Sequence, residues 1–187
     1  MFSITPPIER ESEREAWPAE LVRRSQAGDP AAYEELYRTH VGQIHALCLR
    51  LGGPDRATEL TQDVFVRVWT RIRSYRGDAA FTTWLYRVAF NVIRDSQRSE
   101  SRRRSRLDDR AEVDGWPAAS SSVEPEARID LERAIASLPD RARNALVLHD
   151  IHGFRCREVA EITGTAPGTI QAHLHRARRL LKERLSR

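Results

Sequence analysis

The sequence predicts an all-α protein with two small helical domains joined by a flexible acidic linker. Apolar residues recur at steps of three and four over most of the 187 residues, which is the spacing of helices that bury one face. No segment has the strict alternation of a strand. The periodicity is lost between residues 99 and 125, a stretch rich in serine, proline and acids, and it resumes at 126. The predicted division is a disordered tail at 1–17, domains at 18–98 and 126–187, and a linker at 99–125.

Four helices are expected in the N-terminal domain, at about residues 19–27, 30–52, 55–73 and 80–97. Asp29 is a good N-cap acceptor, and Pro30 tolerates the first helical position because no N–H is needed there. Gly52 and Gly53 end this second helix. Asp55 is the expected cap of the third helix.

Four helices are expected in the C-terminal domain, at about residues 129–138, 140–152, 156–163 and 167–185. Pro139 interrupts the spacing, and Asp140 is the expected cap of the helix that follows. The last two elements are a short helix and a longer one, separated by a turn at Gly164. This order is that of a helix-turn-helix, and the longer helix is the candidate for insertion into DNA.

The last helix has a predicted buried stripe formed by Ile170, Leu174, Ala177 and Leu181. Its opposite face carries small residues first and basic residues later, which fits a helix that enters a major groove by its N-terminus. The candidate DNA-binding residues here are Gly168, Gln171, Ala172, His175, Arg176 and Arg179, with Thr165 and Thr169 placed for phosphate contacts. The alternative is that the arginines form a solvated surface only.

Charge is sorted along the chain and favours a polyanionic partner. The formal net charge is +4, but arginine dominates residues 94–106 and 141–187, whereas the stretch between them is acidic. No apolar run is long enough to span a bilayer, and the N-terminus lacks the pattern of a secretory signal. With two cysteines, a disulfide framework is not expected. We expect a cytoplasmic protein without membrane insertion.

Two blocks in the N-terminal half and one in the C-terminal half resemble a known family. ELTQDVFVRVW and YRGDAAFTTWLYRVAFNVIRDSQR are similar to region 2 of the extracytoplasmic-function (ECF) sigma factors, the small two-domain class of bacterial sigma factors. The stretch from LPDRARNALVLHDIHGF to EVAEITGTAPGTIQAHLHRAR is similar to region 4. The resemblance implies a transcription initiation factor without enzymatic activity. It also implies three partners: core RNA polymerase, through its clamp helices and the flap of its second subunit, promoter DNA, and an anti-sigma factor.

The resemblance also implies which residues of region 2 make contacts. The residues expected to meet the clamp helices of the largest polymerase subunit are Gln62, Asp63, Phe65, Arg67 and Trp69. The mixture of aromatic and charged groups suits a protein interface, although Phe65 and Trp69 have packing inside the domain as an open alternative.

The second block mixes aromatic and basic residues, as surfaces that hold single-stranded DNA do. By resemblance, the residues expected to contact minus-ten DNA are Tyr75, Arg76, Asp78, Arg87, Asn91 and Arg94. Asn91 is the expected reader of a base that leaves the stack. Trp84 and Leu85 are expected in the hydrophobic core.

The recognition helix departs from the family pattern at Gln171, Ala172 and His173, where many relatives carry basic residues and a serine. The minus-thirty-five sequence therefore cannot be transferred from relatives. His149, His152 and Cys156 are too few and too separated for a zinc site, and no cofactor is expected. A helix-turn-helix repressor and an anti-sigma antagonist are the two other function classes considered. The first would need a dimerisation or sensing domain, and the second would not need a basic recognition helix.

Overall fold

The computed structural model describes residues 19–107 and 126–185, and every regular element within them is helical. The N-terminal region comprises α1 (Ala19–Gln26), α2 (Pro30–Gly52), α3 (Ala57–Arg71) and α4 (Phe81–Leu107). The C-terminal region comprises α5 (Glu126–Ala136), α6 (Asp140–Leu146), α7 (Cys156–Thr163) and α8 (Pro167–Leu185). The all-α prediction is confirmed. The predicted tail at 1–17 and the linker residues 108–125 lie outside the described residues.

Helix α2 is the centre of the N-terminal region and packs against α1, α3 and α4. It begins as the sequence predicts, since the Asp29 carboxylate accepts hydrogen bonds from the backbone N–H groups of Ala31 and Ala32. It ends at Gly52, where a Cβ atom would lie 2.2 Å from Cδ1 of Leu60. The glycine therefore permits α2 and α3 to approach closely.

Two predicted boundaries of the N-terminal region are wrong. Asp55 does not cap α3, because residues Pro54–Arg56 form a 3₁₀ turn and α3 starts at Ala57 without a side-chain cap. Helix α4 continues past the predicted end at Gln97 to Leu107. The sequence of its last turns has no apolar periodicity, yet arginine and glutamate favour helix there. The Gln97 side chain donates a 2.7 Å hydrogen bond to the Leu51 carbonyl oxygen.

Arg143 forms hydrogen bonds to both α5 and α6 at the start of the C-terminal region. Asp140 is the first residue of α6 instead of its cap, and its carboxylate accepts a 2.6 Å hydrogen bond from Arg143. The same guanidinium donates a 2.7 Å hydrogen bond to the Ala136 carbonyl oxygen. This bond gives a hydrogen-bond donor to a carbonyl group at the C-terminal end of α5. Helix α6 continues as one π-helical turn, Val147–Ile151.

Helices α7 and α8 form the predicted helix-turn-helix. The Glu158 carboxylate accepts a 2.8 Å hydrogen bond from the Arg155 backbone N–H and caps α7. Gly164 ends α7 with a φ of 68°, a left-handed conformation that favours glycine. The predicted stripe is buried at Ile170, Leu174 and Ala177 and partly buried at Leu181.

The two regions are in contact, with α4 against α7 and α2 against α5, and their buried residues form one continuous hydrophobic core. The sequence gives no sign of this contact, because the periodicity of each helix reports that a face is buried and not what covers it. In residues 19–107 and 126–185, no helix has the length and apolar composition required to cross a membrane.

Candidate protein and nucleic-acid interfaces

Helix α3 exposes most of the residues predicted to bind core polymerase. Gln62, Asp63 and Arg67 are exposed, and Trp69 is 42% exposed. Phe65 is only 6% exposed, which favours the alternative of packing inside the domain over the predicted contact with polymerase. Its ring therefore supports the surface from beneath and is not available to a partner.

Sequence reasoning missed two tyrosines of α2 that complete this surface. Tyr33 meets Trp69 edge-on at 4.7 Å, and Tyr37 meets Phe65 in the same way at 4.7 Å. The Tyr33 hydroxyl donates to the Phe65 carbonyl oxygen, and burial raises the pKa of Tyr33, so the hydroxyl remains a neutral donor. The available signal was the spacing of the two tyrosines, four residues apart on one helical face.

We call Tyr37, Val66 and Trp69 the aromatic patch. Val66 is 65% exposed and Tyr37 is 39% exposed. Together with Trp69 they present large apolar side chains to solvent from two adjacent helices. An exposed apolar surface rimmed by charged groups, here Asp63 and Arg67, is typical of a protein interface.

The loop after α3 is held by Tyr75. Its hydroxyl donates a 2.8 Å hydrogen bond to the Ala79 carbonyl oxygen, and its ring packs against Phe81 and Trp84 at 5.5 and 5.6 Å. Tyr75 is thus half-buried and anchors the loop, which limits the base contact predicted for it. Arg76 and Asp78 are exposed at the tip.

Helix α4 places Arg87, Asn91 and Arg94 at steps of four and three, which puts them on one face. Arg87 is exposed, whereas Asn91 and Arg94 are half-buried. Trp84 and Leu85 are buried, as predicted. This helix therefore offers one cationic side chain and one amide at a surface that is otherwise supported by packed aromatic rings.

Helix α8 exposes the face that the sequence predicts for DNA. Its exposed candidates are Gly168, Thr169, Gln171, Ala172, His175, Arg176 and Arg179, whereas Thr165, before the helix, is partly buried. Arg179 lies 3.4 Å from the Glu183 carboxylate, an exposed pair that is weak in water.

Asp150 is a third residue that the sequence analysis missed. Its carboxylate accepts two hydrogen bonds from Arg178, at 3.0 and 2.7 Å, and this pairing raises the pKa of Arg178. The bidentate pair joins α8 to the π-helical turn. Arg178 is therefore engaged within the protein and differs from its neighbours Arg176 and Arg179.

His149 and His152, whose side chains are of a type that can bind metal, form hydrogen bonds with other groups of the protein. His149 Nδ1 donates to the Phe154 carbonyl oxygen at 2.6 Å, and His152 Nδ1 shares a 2.9 Å hydrogen bond with the Tyr86 hydroxyl. Cys48 is buried, which raises the pKa of its thiol to about 11. It behaves as a small apolar residue at neutral pH.

Two stretches of the chain match models of known protein families. Residues 36–103 match Sigma-70 region 2, and residues 128–181 match Sigma-70, region 4. The chain is 32% identical over 162 residues to the ECF RNA polymerase sigma factor SigM of Mycobacterium tuberculosis, which covers 86% of this chain and 80% of that protein. It is 32% identical over 168 residues to the ECF RNA polymerase sigma factor SigE of Mycolicibacterium smegmatis, where the match covers 86% of this chain and 65% of SigE.

The fold is also similar to a solved structure, that of the sigma factor RpoE in complex with the anti-sigma factor NepR from Bartonella quintana. The TM-score is 0.68 at 24% identity, over 82% of this chain and 96% of that one. Both family regions occur here in their order along the chain, and each contains the helices that carry its candidate interface. The chain therefore belongs to the ECF RNA polymerase sigma factors, alternative sigma factors that direct promoter-specific transcription initiation.

Proposed function

We propose that three separate surfaces of this chain carry the three contacts of initiation. The aromatic patch and the charged residues of α3 bind core polymerase, the Tyr75–Asp78 loop and α4 bind minus-ten DNA, and α8 binds minus-thirty-five DNA. The observation that carries the proposal is that exposed aromatic and charged groups concentrate on adjacent faces of α2 and α3, while exposed basic residues lie on the outer face of α8 in the helix-turn-helix. The factor contributes specificity in the cytoplasm and no catalytic group of its own.

Binding to polymerase is supported by the construction of the aromatic patch. The Tyr33–Trp69 and Tyr37–Phe65 contacts hold the exposed rings in place before a partner arrives. A rigid aromatic side chain loses little entropy when it is buried at an interface. The charged side chains of Asp63 and Arg67, at the rim of the aromatic patch, then orient the two proteins relative to each other.

Minus-ten binding is assigned to α4 with Asn91 as the base reader. An amide presents a donor and an acceptor together and can pair with the edge of an unstacked base. Arg87, four residues earlier on the same face, is placed for the adjacent phosphate. Tyr75 supports the loop through its bond to Ala79.

Minus-thirty-five binding is assigned to the exposed face of α8. Gln171 is the candidate for direct base reading, since glutamine pairs bidentately with adenine. Arg176 and Arg179 are placed for phosphates. The Arg178–Asp150 pair positions the helix and does not read DNA.

We further propose that the chain takes an anti-sigma factor as its regulatory partner. The support is the fold similarity to RpoE of Bartonella quintana, which is bound to an anti-sigma factor in its solved structure.

One experiment separates the three surfaces. Trp69→Ala is expected to impair core binding, Asn91→Ala to impair strand opening, and Arg176→Ala to impair upstream DNA binding. Each variant should fail at its own step in gel-shift, permanganate and transcription assays with core polymerase. Arg157→Ala is the matched control for Arg176, because Arg157 is an exposed arginine on the other helix of the helix-turn-helix. If all variants fail at the same step, the division into three surfaces is wrong.

A further inference from the structure

The outer face of α4 continues past the residues assigned to minus-ten DNA. It carries a row of residues at steps of three or four along the helix: Arg87, Asn91, Arg94, Arg98 and Arg102. At 100° per residue these positions fall within about 80° of one another, so they share one face. All of them except Asn91 are arginines. We call this row the cationic stripe of α4.

The last two arginines of the cationic stripe present their charges to solvent. Arg98 and Arg102 are exposed, and in the ranges that the structure describes no carboxylate forms an ion pair with either of them. Glu100, which lies between them in sequence, pairs with Arg56 near the start of α3. Asp95 is also exposed, at the edge of the stripe, so the stripe keeps a net positive charge. Two unpaired guanidinium groups four residues apart favour a polyanionic partner.

The residue types along α4 favour intact duplex over single-stranded DNA as that partner. Proteins hold single-stranded DNA through aromatic rings on which the bases stack. The aromatic residues of the preceding loop and of α4 all come before Asn91, at Tyr75, Phe81, Trp84, Tyr86 and Phe90. From Asn91 to Leu107 the sequence has no aromatic residue. Arginine without aromatic rings suits contact with phosphates, which requires no unstacked base.

Distances along the helix place the stripe relative to the promoter. Arg98 lies seven residues beyond Asn91 and Arg102 eleven, or about 10.5 and 16.5 Å at a rise of 1.5 Å per residue. These distances correspond to about three and five base pairs at 3.4 Å per pair. The chain after Leu107 leads to α8, which is assigned to minus-thirty-five DNA. The C-terminal end of α4 is therefore the end nearer to upstream DNA.

We propose that Arg98 and Arg102 bind phosphates of the intact promoter duplex immediately upstream of the minus-ten element. The inference rests on the function proposed above and adds a contact to it. Phosphate contacts set the register of a protein on DNA and carry no base sequence themselves. The two arginines hold the upstream duplex along α4, so that the base read by Asn91 lies at the edge of the paired DNA.

The test compares two DNA fragments bound by the chain in complex with core polymerase. One fragment is a complete promoter, and the other ends at the upstream edge of the minus-ten element and keeps the minus-ten bases single-stranded. Arg98→Gln combined with Arg102→Gln should weaken binding to the complete promoter only, since glutamine has a helix propensity close to that of arginine. The salt slope should fall by about two units, which makes the loss of affinity about twelvefold larger at 50 mM than at 200 mM salt.

Control variants and phosphate modification show where the charge acts. Arg98→Lys combined with Arg102→Lys keeps both cations and should retain the salt slope. Arg23→Gln is the matched control, because Arg23 is an exposed arginine of α1 that pairs with Glu20, and it should change neither affinity nor slope. Ethylation of single phosphates should interfere with wild-type binding about three and five base pairs upstream of the base read by Asn91. The double glutamine variant should lose both interference signals.

Two results would overturn the inference. One is an equal loss of binding on both fragments, which would place the arginines on single-stranded DNA or on polymerase. The other is a double glutamine variant whose affinity and salt slope match those of Arg23→Gln. Asn91→Ala in the same assays separates this failure from that of the proposed function. Lost strand opening in Asn91→Ala beside an unaffected double variant refutes only the upstream contact, whereas normal opening in Asn91→Ala refutes the minus-ten assignment.

Discussion

Replacing Trp69 is expected to weaken core-polymerase binding far more than it weakens the fold. Trp69 is 42% exposed, which corresponds to about 100 Å² of a tryptophan surface. Burial of that area against polymerase would contribute about 2.5 kcal/mol at 25 cal/mol per Å². Trp69→Ala should therefore raise the dissociation constant for core polymerase about 70-fold. Fluorescence anisotropy of the labelled chain titrated with core polymerase measures this change.

Two further variants separate binding from folding. Trp69→Phe keeps an aromatic edge against Tyr33 and should recover most of the affinity. Leu49→Ala is the control, because Leu49 is a similarly exposed apolar residue of α2 outside the aromatic patch. It should leave the dissociation constant within about twofold. If Trp69→Ala and Leu49→Ala had equal effects on binding, or if the loss followed a drop in the unfolding midpoint, the aromatic patch would not be the polymerase contact.

The remaining predictions concern DNA and pH. Asn91→Ala should reduce promoter opening about tenfold or more at unchanged core affinity, and normal permanganate reactivity would refute this assignment. Arg176→Ala should weaken binding to all promoters and lower the salt slope by about one unit, whereas Gln171→Ala should alter preference at one base pair at about 1–3 kcal/mol. Selection from randomised promoters distinguishes the two, and identical preferences for wild type and Gln171→Ala would remove Gln171 from base reading. Burial lowers the pKa of His40 from 6.5 to about 4, so the unfolded chain binds the proton first and stability should fall by about 3 kcal/mol between pH 6.5 and pH 4. Urea unfolding of wild type and His40→Gln should show this loss in wild type only, with His45→Gln as control.

Most helices were predictable because their ends depend on local chemistry. Three such ends depend on contacts within a few residues and are present in the structure: the N-cap at Asp29, the end of α2 at Gly52 and the turn at Gly164. The end of α4 at Leu107 was not predictable from apolar spacing, because the sequence of its last turns is rich in arginine and serine and has no periodic apolar positions. Asp140 is the first residue of α6 and Pro139 holds the N-cap position, so the Asp140 carboxylate is not placed as a cap and accepts a hydrogen bond from Arg143 instead.

The candidate interfaces were predictable in part. Exposure of the recognition face followed from helical geometry and the buried stripe through Ile170 and Leu174. The role of Tyr37 beside Phe65 was not predictable, because it depends on how α2 and α3 are aligned. The contact between Tyr86 and His152 was not predictable for the same reason, because it joins residues that are distant in sequence.

Promoter-directed transcription is the most direct test of the central assignment. Purified chain is added to core RNA polymerase with fragmented genomic DNA from its source, and the 5′ ends of the transcripts are mapped. We predict discrete start sites that require the chain and share upstream sequence elements, and whose transcripts become weaker with Arg176→Ala. Transcripts that are the same with and without the chain would contradict the account.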